Sequence, residues 1–259
     1  MKSLRNILLA LLLTTILLPE AFAGVGSLKR AEFEFHIGPA FPMGRFGKKA
    51  FSGFNGEKPS YRLDYHGAKI GLNYGLAFQY YATPHFGVLV MFNGHSNKIS
   101  ANNFSTYNPT WNWKTNSQGK WSEFMAMAGM TFRVSLFSKM TMAFRAYLGY
   151  AHLVAPYYGS EAKGLTPNTN TKYSYQLKSA SDANFGYGAG VALKFLVARG
   201  FHLDIRCDYM GAVPFYFRRV KSTLITEIPN ANIPDQVFRN TFHESFSMIN
   251  LSFGFTVAF

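Results

Sequence analysis

The chain has 259 residues, 17% of them aromatic and 15% charged, and its 26 Lys and Arg against 13 Asp and Glu leave a net charge of +13. Low charge with many aromatics fits poorly with a soluble enzyme and well with a chain whose apolar surface meets lipid. The single cysteine, Cys207, excludes an intramolecular disulfide.

The amino terminus reads as an export signal. Lys2 and Arg5 precede the twelve-residue apolar run Ile7 to Leu18, and Pro19 is followed by Ala21-Phe22-Ala23. A basic start, an apolar run too short for a span and an A-x-A site make a secretory signal peptide, residues 1–23. Removing Lys2, Arg5 and Glu20 leaves 24 basic and 12 acidic residues, a mature charge of +12. No cysteine follows the cut, which argues against a lipid anchor, and no later segment is apolar for the ~18 residues of a transmembrane helix. Residues 24–259 are expected to form one domain with no appended module. A secreted sandwich and an outer-membrane barrel are the two sensible homes for such a chain.

Period-two alternation marks the strands, because successive side chains point to opposite faces. Segment one, Glu32 to Phe41, sets Phe33, Phe35 and Ile37 against Glu34, His36 and Gly38. Segment two, Gly67 to Tyr81, sets Ile70, Leu72, Tyr74, Leu76, Phe78 and Tyr80 against Lys69, Asn73, Ala77 and Gln79. Thr83-Pro84 turns the chain into segment three, where Phe86, Val88, Val90 and Phe92 oppose Leu89, Met91 and Asn93. Segment four, Trp121 to Ser135, puts Phe124, Met130 and Phe132 opposite Glu123, Met125, Met127 and Arg133. Segment five opposes Phe144, Leu148 and Tyr150 to Arg145 and Tyr147, and segment six opposes Phe185, Tyr187, Val191 and Leu193 to Gly186, Gly188, Gly190 and Lys194. Segment seven places Phe201, Leu203, Ile205, Cys207 and Tyr209 opposite His202, Asp204, Arg206, Asp208 and Met210.

The last segment, Ser245 to Phe259, is the most regular. Ile249, Leu251, Phe253, Phe255, Val257 and Phe259 alternate with Met248, Asn250, Ser252, Gly254, Thr256 and Ala258. Between the eight segments the connections run long, short, long, short, long, short, long, the long ones being polar stretches near 42–66, 97–120, 156–182 and 217–243. Long loops at one end and short turns at the other are what an up-and-down membrane barrel requires, with both termini periplasmic, whereas a sandwich has no reason for the alternation. A hairpin in the first or fourth long connection would raise the strand count to ten.

Charge decides which face meets lipid. A Lys or Arg facing lipid at mid-membrane costs roughly 2–4 kcal/mol, and the eight apolar faces contain no Lys, Arg, Asp or Glu. The opposite faces carry Glu34, Lys69, Glu123, Arg133, Arg145, Lys194, Asp204, Arg206 and Asp208. A one-residue slip would reverse a whole strand, so the segregation also supports the register. The expected fold is all-β: an eight-stranded antiparallel up-and-down transmembrane barrel.

With this pattern from Glu32 to Phe259, the chain resembles the small OmpA-like and OmpX-like outer-membrane barrels, porins in the loose sense. Its segment His36-Ile37-Gly38-Pro39-Ala40-Phe41-Pro42-Met43-Gly44 is similar to the first strand of barrel-domain proteins common in Bacteroidetes. The resemblance implies that Leu251, Phe253, Phe255, Val257 and Phe259 form the terminal signal read by the barrel assembly machinery. It does not select an activity, since such barrels include adhesins, passive wall-linking proteins, narrow channels and lipid-modifying enzymes.

Several residue groups are candidates for a role. Inward Glu34, Arg133, Arg145, Lys194, Asp204, Arg206 and Asp208 are expected to pair into a plug, because an eight-stranded interior is just wide enough for side chains to fill; a narrow ion path is the alternative. Toward the long-loop end the inward residues Met91, Met125, Met127, Met210, Met248 and Phe246 read as packing, or as an acyl-chain pocket like that of lipid A palmitoyltransferase barrels. His243-Glu244-Ser245 places His and Ser two apart, as in outer-membrane lipid A deacylases, but the closing strand offers no acid after Glu244. The seven histidines show no i, i+2 or i, i+4 pair for a metal, and neither a cofactor nor a nucleic-acid motif is expected. Cys207 reads as lipid-facing. Trp111 and Trp113 are candidate partner contacts or interfacial anchors. The expected partners are outer-membrane lipid, lipopolysaccharide, the assembly machinery and an unidentified ligand of the basic loops. The reading is a structural or surface-binding barrel rather than an enzyme.

Overall fold

The structure, a computed structural model, describes residues 29–47, 67–99, 111–115, 119–164, 172–228 and 232–259. The expected signal peptide and most of the first long connection lie outside the described residues. Eight strands carry the alternating segments: β1 (Ala31–Pro42), β2 (Gly71–Tyr81), β3 (Phe86–Lys98), β5 (Lys120–Phe137), β6 (Met140–Ala155), β9 (Ala180–Ala198), β10 (Phe201–Ala212) and β13 (Ser247–Ala258). They close antiparallel in the order β1-β13-β10-β9-β6-β5-β3-β2. The last segment is therefore the closing strand, pairing with β1 on one side and β10 on the other.

Following hydrogen-bonded partners once around fixes the barrel's shape. The path Glu32, Gln79, Leu89, Gly129, Tyr147, Gly188, Met210, Met248 returns to β1 at Pro42, ten residues beyond its start. With a rise of about 3.3 Å per residue and strands about 4.8 Å apart, this stagger gives a tilt of about 40° and a radius of about 8 Å. Side chains fill such an interior. The inward and outward faces expected from the alternation are observed, except that Lys69, expected inward, precedes β2 and is exposed: Leu72, Val90, Leu148, Leu203 and Phe253 are exposed outward, while Glu34, Met91, Met127, Arg145 and Arg206 are buried inward.

Short turns join strands at the end that carries the termini. Thr83 Oγ1 accepts from Phe86 N at 2.9 Å in the β2–β3 turn, and Gly200, with φ of +79°, makes the β9–β10 turn.

The second, third and fourth long connections are not plain loops. Five further strands, β4 (Trp111–Thr115), β7 (Tyr158–Gly164), β8 (Lys172–Leu177), β11 (Phe215–Glu227) and β12 (Gln236–Glu244), form a second sheet in the order β12-β11-β8-β7-β4. Polar composition hid these strands, because outside lipid a strand needs only one apolar face. The β11–β12 hairpin does occupy the fourth connection, but it pairs within the second sheet, so the barrel keeps eight strands. A bulge between Phe217 and Val220, with Arg219 at φ of +52°, leaves Arg218 and Arg219 both exposed while Phe215, Phe217 and Val220 stay buried.

Candidate functional site

The turn-end half of the lumen is an ion-pair network centred on two carboxylates of β1. Glu34 receives both terminal guanidinium nitrogens of Arg145, Nη1 and Nη2, at 3.0 and 2.6 Å, and Arg206 Nη1 at 2.5 Å. Gln79 donates to it at 3.0 Å, and Lys194 Nζ lies 3.6 Å away. Glu32 takes Lys194 at 2.5 Å and Arg133 at 2.8 Å. Arg206 continues to Asp208 at 2.9 Å, which also accepts from the Tyr147 hydroxyl at 3.1 Å. Three carboxylates, Glu32, Glu34 and Asp208, thus meet four cations, Arg133, Arg145, Lys194 and Arg206, and Asp204 lines the same lumen. Burial of these charges is tolerable only because nearly all are paired.

The residues expected to share the lumen are brought together there, and their partners lie across it as well as along the sheet. Lys194 and Asp204 stand directly opposite on β9 and β10, yet Lys194 crosses the lumen to Glu32, and Asp204 accepts the Thr256 hydroxyl instead. A barrel of this radius lets long side chains meet across the lumen rather than along the sheet. Glu32 and His36 were missed as members. Both share Glu34's parity on β1, which was the signal available.

Above the charges lies a neutral layer. His36 Nε2 donates to Asn93 Oδ1 at 2.7 Å while its Nδ1 accepts from Arg206. Asn73 donates to Ser252 at 2.7 Å, and Asn250 donates to His95 Nε2 at 2.9 Å, leaving His95 Nδ1 to face Glu123 at 2.8 Å. The loop-end half is therefore not uniformly apolar, as the methionines alone implied. Met91, Met125, Met127, Met210, Met248 and Phe246 are all buried and belong to one continuous apolar cluster with Trp121, Leu153, Phe215 and Phe217.

That cluster roofs the lumen. A single helical turn after β1, α1 (Gly44–Gly47), buries Phe46 against Trp121 and Phe246, with ring centroids 5.3 and 5.1 Å apart. Phe217 from the second sheet completes the cover 6.4 Å from Trp121.

A closed antiparallel sheet with a lipophilic outer band and an ion-paired, roofed interior has one solvent that fits it. The chain folds as a small eight-stranded antiparallel β-barrel with a lipid-compatible outer band. No family model matches it, and no curated protein does. Among solved structures it is similar in fold to Ail of Yersinia pestis, at 16% identity over 88% of this chain and 99% of that one, TM-score 0.37. It is likewise similar to Neisserial surface protein A, at 13% over 88% and 97%, TM-score 0.39. OprG of Pseudomonas aeruginosa matches at 10% over 88% and 96%, TM-score 0.43.

The remaining candidates fall outside the lumen of this barrel. Leu251, Phe253, Phe255, Val257 and Phe259 line the outward face of β13, each 38–59% exposed, and Cys207 is exposed outward on β10. The backbone of Trp111 and Trp113 lies on β4, opposite Gly164 and Ala162 of β7; their side chains lie outside the described residues. His243 packs its ring 4.4 Å from that of Tyr216 on β11.

Proposed function

We propose that this barrel is a non-enzymatic, non-conducting surface protein whose second sheet carries a binding role, in adhesion or envelope integrity. The observation that supports it most is the double closure of the lumen, ion pairs at the turn end and the Phe46–Trp121–Phe246 roof at the loop end. Chemistry and recognition are thereby moved to the outside. In this reading the signal peptide is cleaved, the termini and short turns are periplasmic, and the second sheet is extracellular. The outward face of β13 serves the assembly machinery.

The second sheet presents Lys172, Lys178, Arg218, Arg219, Lys221 and Arg239 as exposed cations, which favours an anionic extracellular ligand. No cofactor is required. The test is twofold. Purified protein in planar bilayers is expected to show no large, stable conductance, and such conductance would overturn the closed lumen. A deletion strain is expected to keep its lipid A composition while losing surface attachment; an altered acyl pattern would instead support a lipid-modifying enzyme.

A further inference from the structure

The outward face of β2, β3 and β5 near the loop end carries an arrangement that neither the lumen nor the second sheet explains. Its last aromatic step is Tyr74, Phe92 and Phe124, all 46–48% exposed, while on the β2 side exposed Leu72, paired with Ser96, and Ile70 carry the apolar face on toward the rim. The Phe92 and Phe124 rings stack 6.3 Å apart. The Tyr74 ring lies flat across Gly94, where a Cβ would come within 2.7 Å of it. One outward step nearer the loop end, Ser96 stands directly opposite Ser122. One step further, Lys98 stands directly opposite Lys120, and both are exposed. The Lys69 amide donates to the Lys98 carbonyl at 2.7 Å, bringing a third exposed lysine alongside.

Like charges directly opposite across an antiparallel pair repel and are destabilising. Among the described residues none of the three lysines has a carboxylate partner. Exposed Arg45 follows β1, the other neighbour of β2, whereas the far side of the rim differs. The outward positions at the same end of β6, β9 and β10 are His152, Val154, Ser181, Ala183 and Val213, none of them Lys or Arg.

We propose that Lys98, Lys120 and Lys69 bind a phosphate of an outer-leaflet phosphoglycolipid, whose acyl chains lie along Tyr74, Phe92 and Phe124 and whose sugar hydroxyls meet Ser96 and Ser122. Along β3 and β5 the order, aromatic step, hydroxyls, cations, is the order of acyl chain, sugar and phosphate in such a lipid, and Leu72 and Ile70 flank it with further apolar surface for an acyl chain. A phosphate between the two ammonium groups converts their repulsion into charge-assisted hydrogen bonds. This rests on the outer-leaflet placement of the loop end given above.

The test uses the mature chain refolded in detergent micelles, with native mass spectrometry reading retained lipid. The probes are phosphorylated lipid A, the same lipid A chemically dephosphorylated, and phosphatidylglycerol. Phosphorylated lipid A is expected to be retained about tenfold more strongly than either other lipid, and the double variant Lys98→Gln/Lys120→Gln to fall to the dephosphorylated level. Lys139→Gln/Arg199→Gln, in the short turns, is expected to behave as the parent, and heat-modifiable gel migration confirms that each variant is folded. Equal retention with and without phosphate, or an unaffected double variant, overturns the site; equal retention of phosphatidylglycerol overturns the glycolipid assignment, and full displacement by inorganic phosphate shows a free-anion site instead. Thiol labelling of Val237→Cys on intact cells, in a Cys207→Ser background, reads the orientation separately, so a misplaced loop end and a failed site give different results.

Discussion

The barrel wall and the second sheet are built from the same continuous chain by the same antiparallel pairing, yet their outward residues face different solvents. Leu148 on β6 is 57% exposed and Val237 on β12 is 52% exposed; by exposure alone they are equivalent. Leu148 lies midway along a membrane strand and meets lipid, while Val237 lies on an open sheet beyond the rim. Ion pairs show the same contrast. Arg145 and Glu34 meet at 2.6 Å with both side chains fully buried, whereas Lys172 and Glu227, directly opposite on β8 and β11, are 3.9 Å apart and 58% and 64% exposed. Geometry repeats between the two sheets, and environment sets the energy.

The largest expected effect is on the lumen. Glu34→Gln leaves Arg145, Arg206 and Lys194 without their shared anion, and breaking a buried pair costs about 3–5 kcal/mol. Urea unfolding of the refolded protein in lipid vesicles is expected to show that loss; a midpoint shift under ~1 kcal/mol would mean the cations re-pair with Glu32 and Asp208. Next comes the wall. Leu148→Arg is expected to cost about 2–4 kcal/mol, and Val237→Arg to stay within about 0.5 kcal/mol of the parent. Equal costs would mean that the second sheet shares the barrel's solvent. Smaller again is Gly190→Ala, whose new methyl would land on the Asp208 carboxylate and push it off Arg206 and Tyr147. Overpacking of this kind costs about 1–3 kcal/mol, read in the same assay, and Asp208→Ala in the Gly190→Ala background is expected to recover nothing if the network rather than the clash carries the loss.

Much of the barrel was legible in the residues, because lipid on one side and a packed lumen on the other force a strict period of two. Phe253 and Ser252 cannot exchange faces without reversing the whole of β13. The second sheet was not legible, since in water a face such as that of β8 tolerates Lys172, Ser174 and Gln176 without penalty, and turn-like composition overlaps with it. In the roof, Phe246 had inward parity, but Phe46 had no periodic signal at all. Phe46 follows Gly44, whose φ of +56° turns the chain back over the lumen, and that is a tertiary event. The pairing in the lumen was half legible: parity named the charged residues, but which cation reaches which carboxylate depends on a radius set by the stagger around the whole barrel.

The smallest effect is the most discriminating control for the contrast between the two sheets. Glu227→Gln removes the carboxylate facing Lys172 in the same antiparallel register that places Lys194 opposite Asp204 in the barrel. Both ends of the Lys172–Glu227 pair remain mostly in water, where Coulomb attraction is screened and holding two long side chains together costs entropy, so exposed pairs contribute about 0–1 kcal/mol. The unfolding midpoint is expected to be indistinguishable from the parent, and any small loss to vanish in about 1 M salt, where the screening length falls to about 3 Å. A salt-resistant loss would mean that the second sheet is buried against something at its open edges, and the contrast drawn from exposure would have to be redrawn from contact.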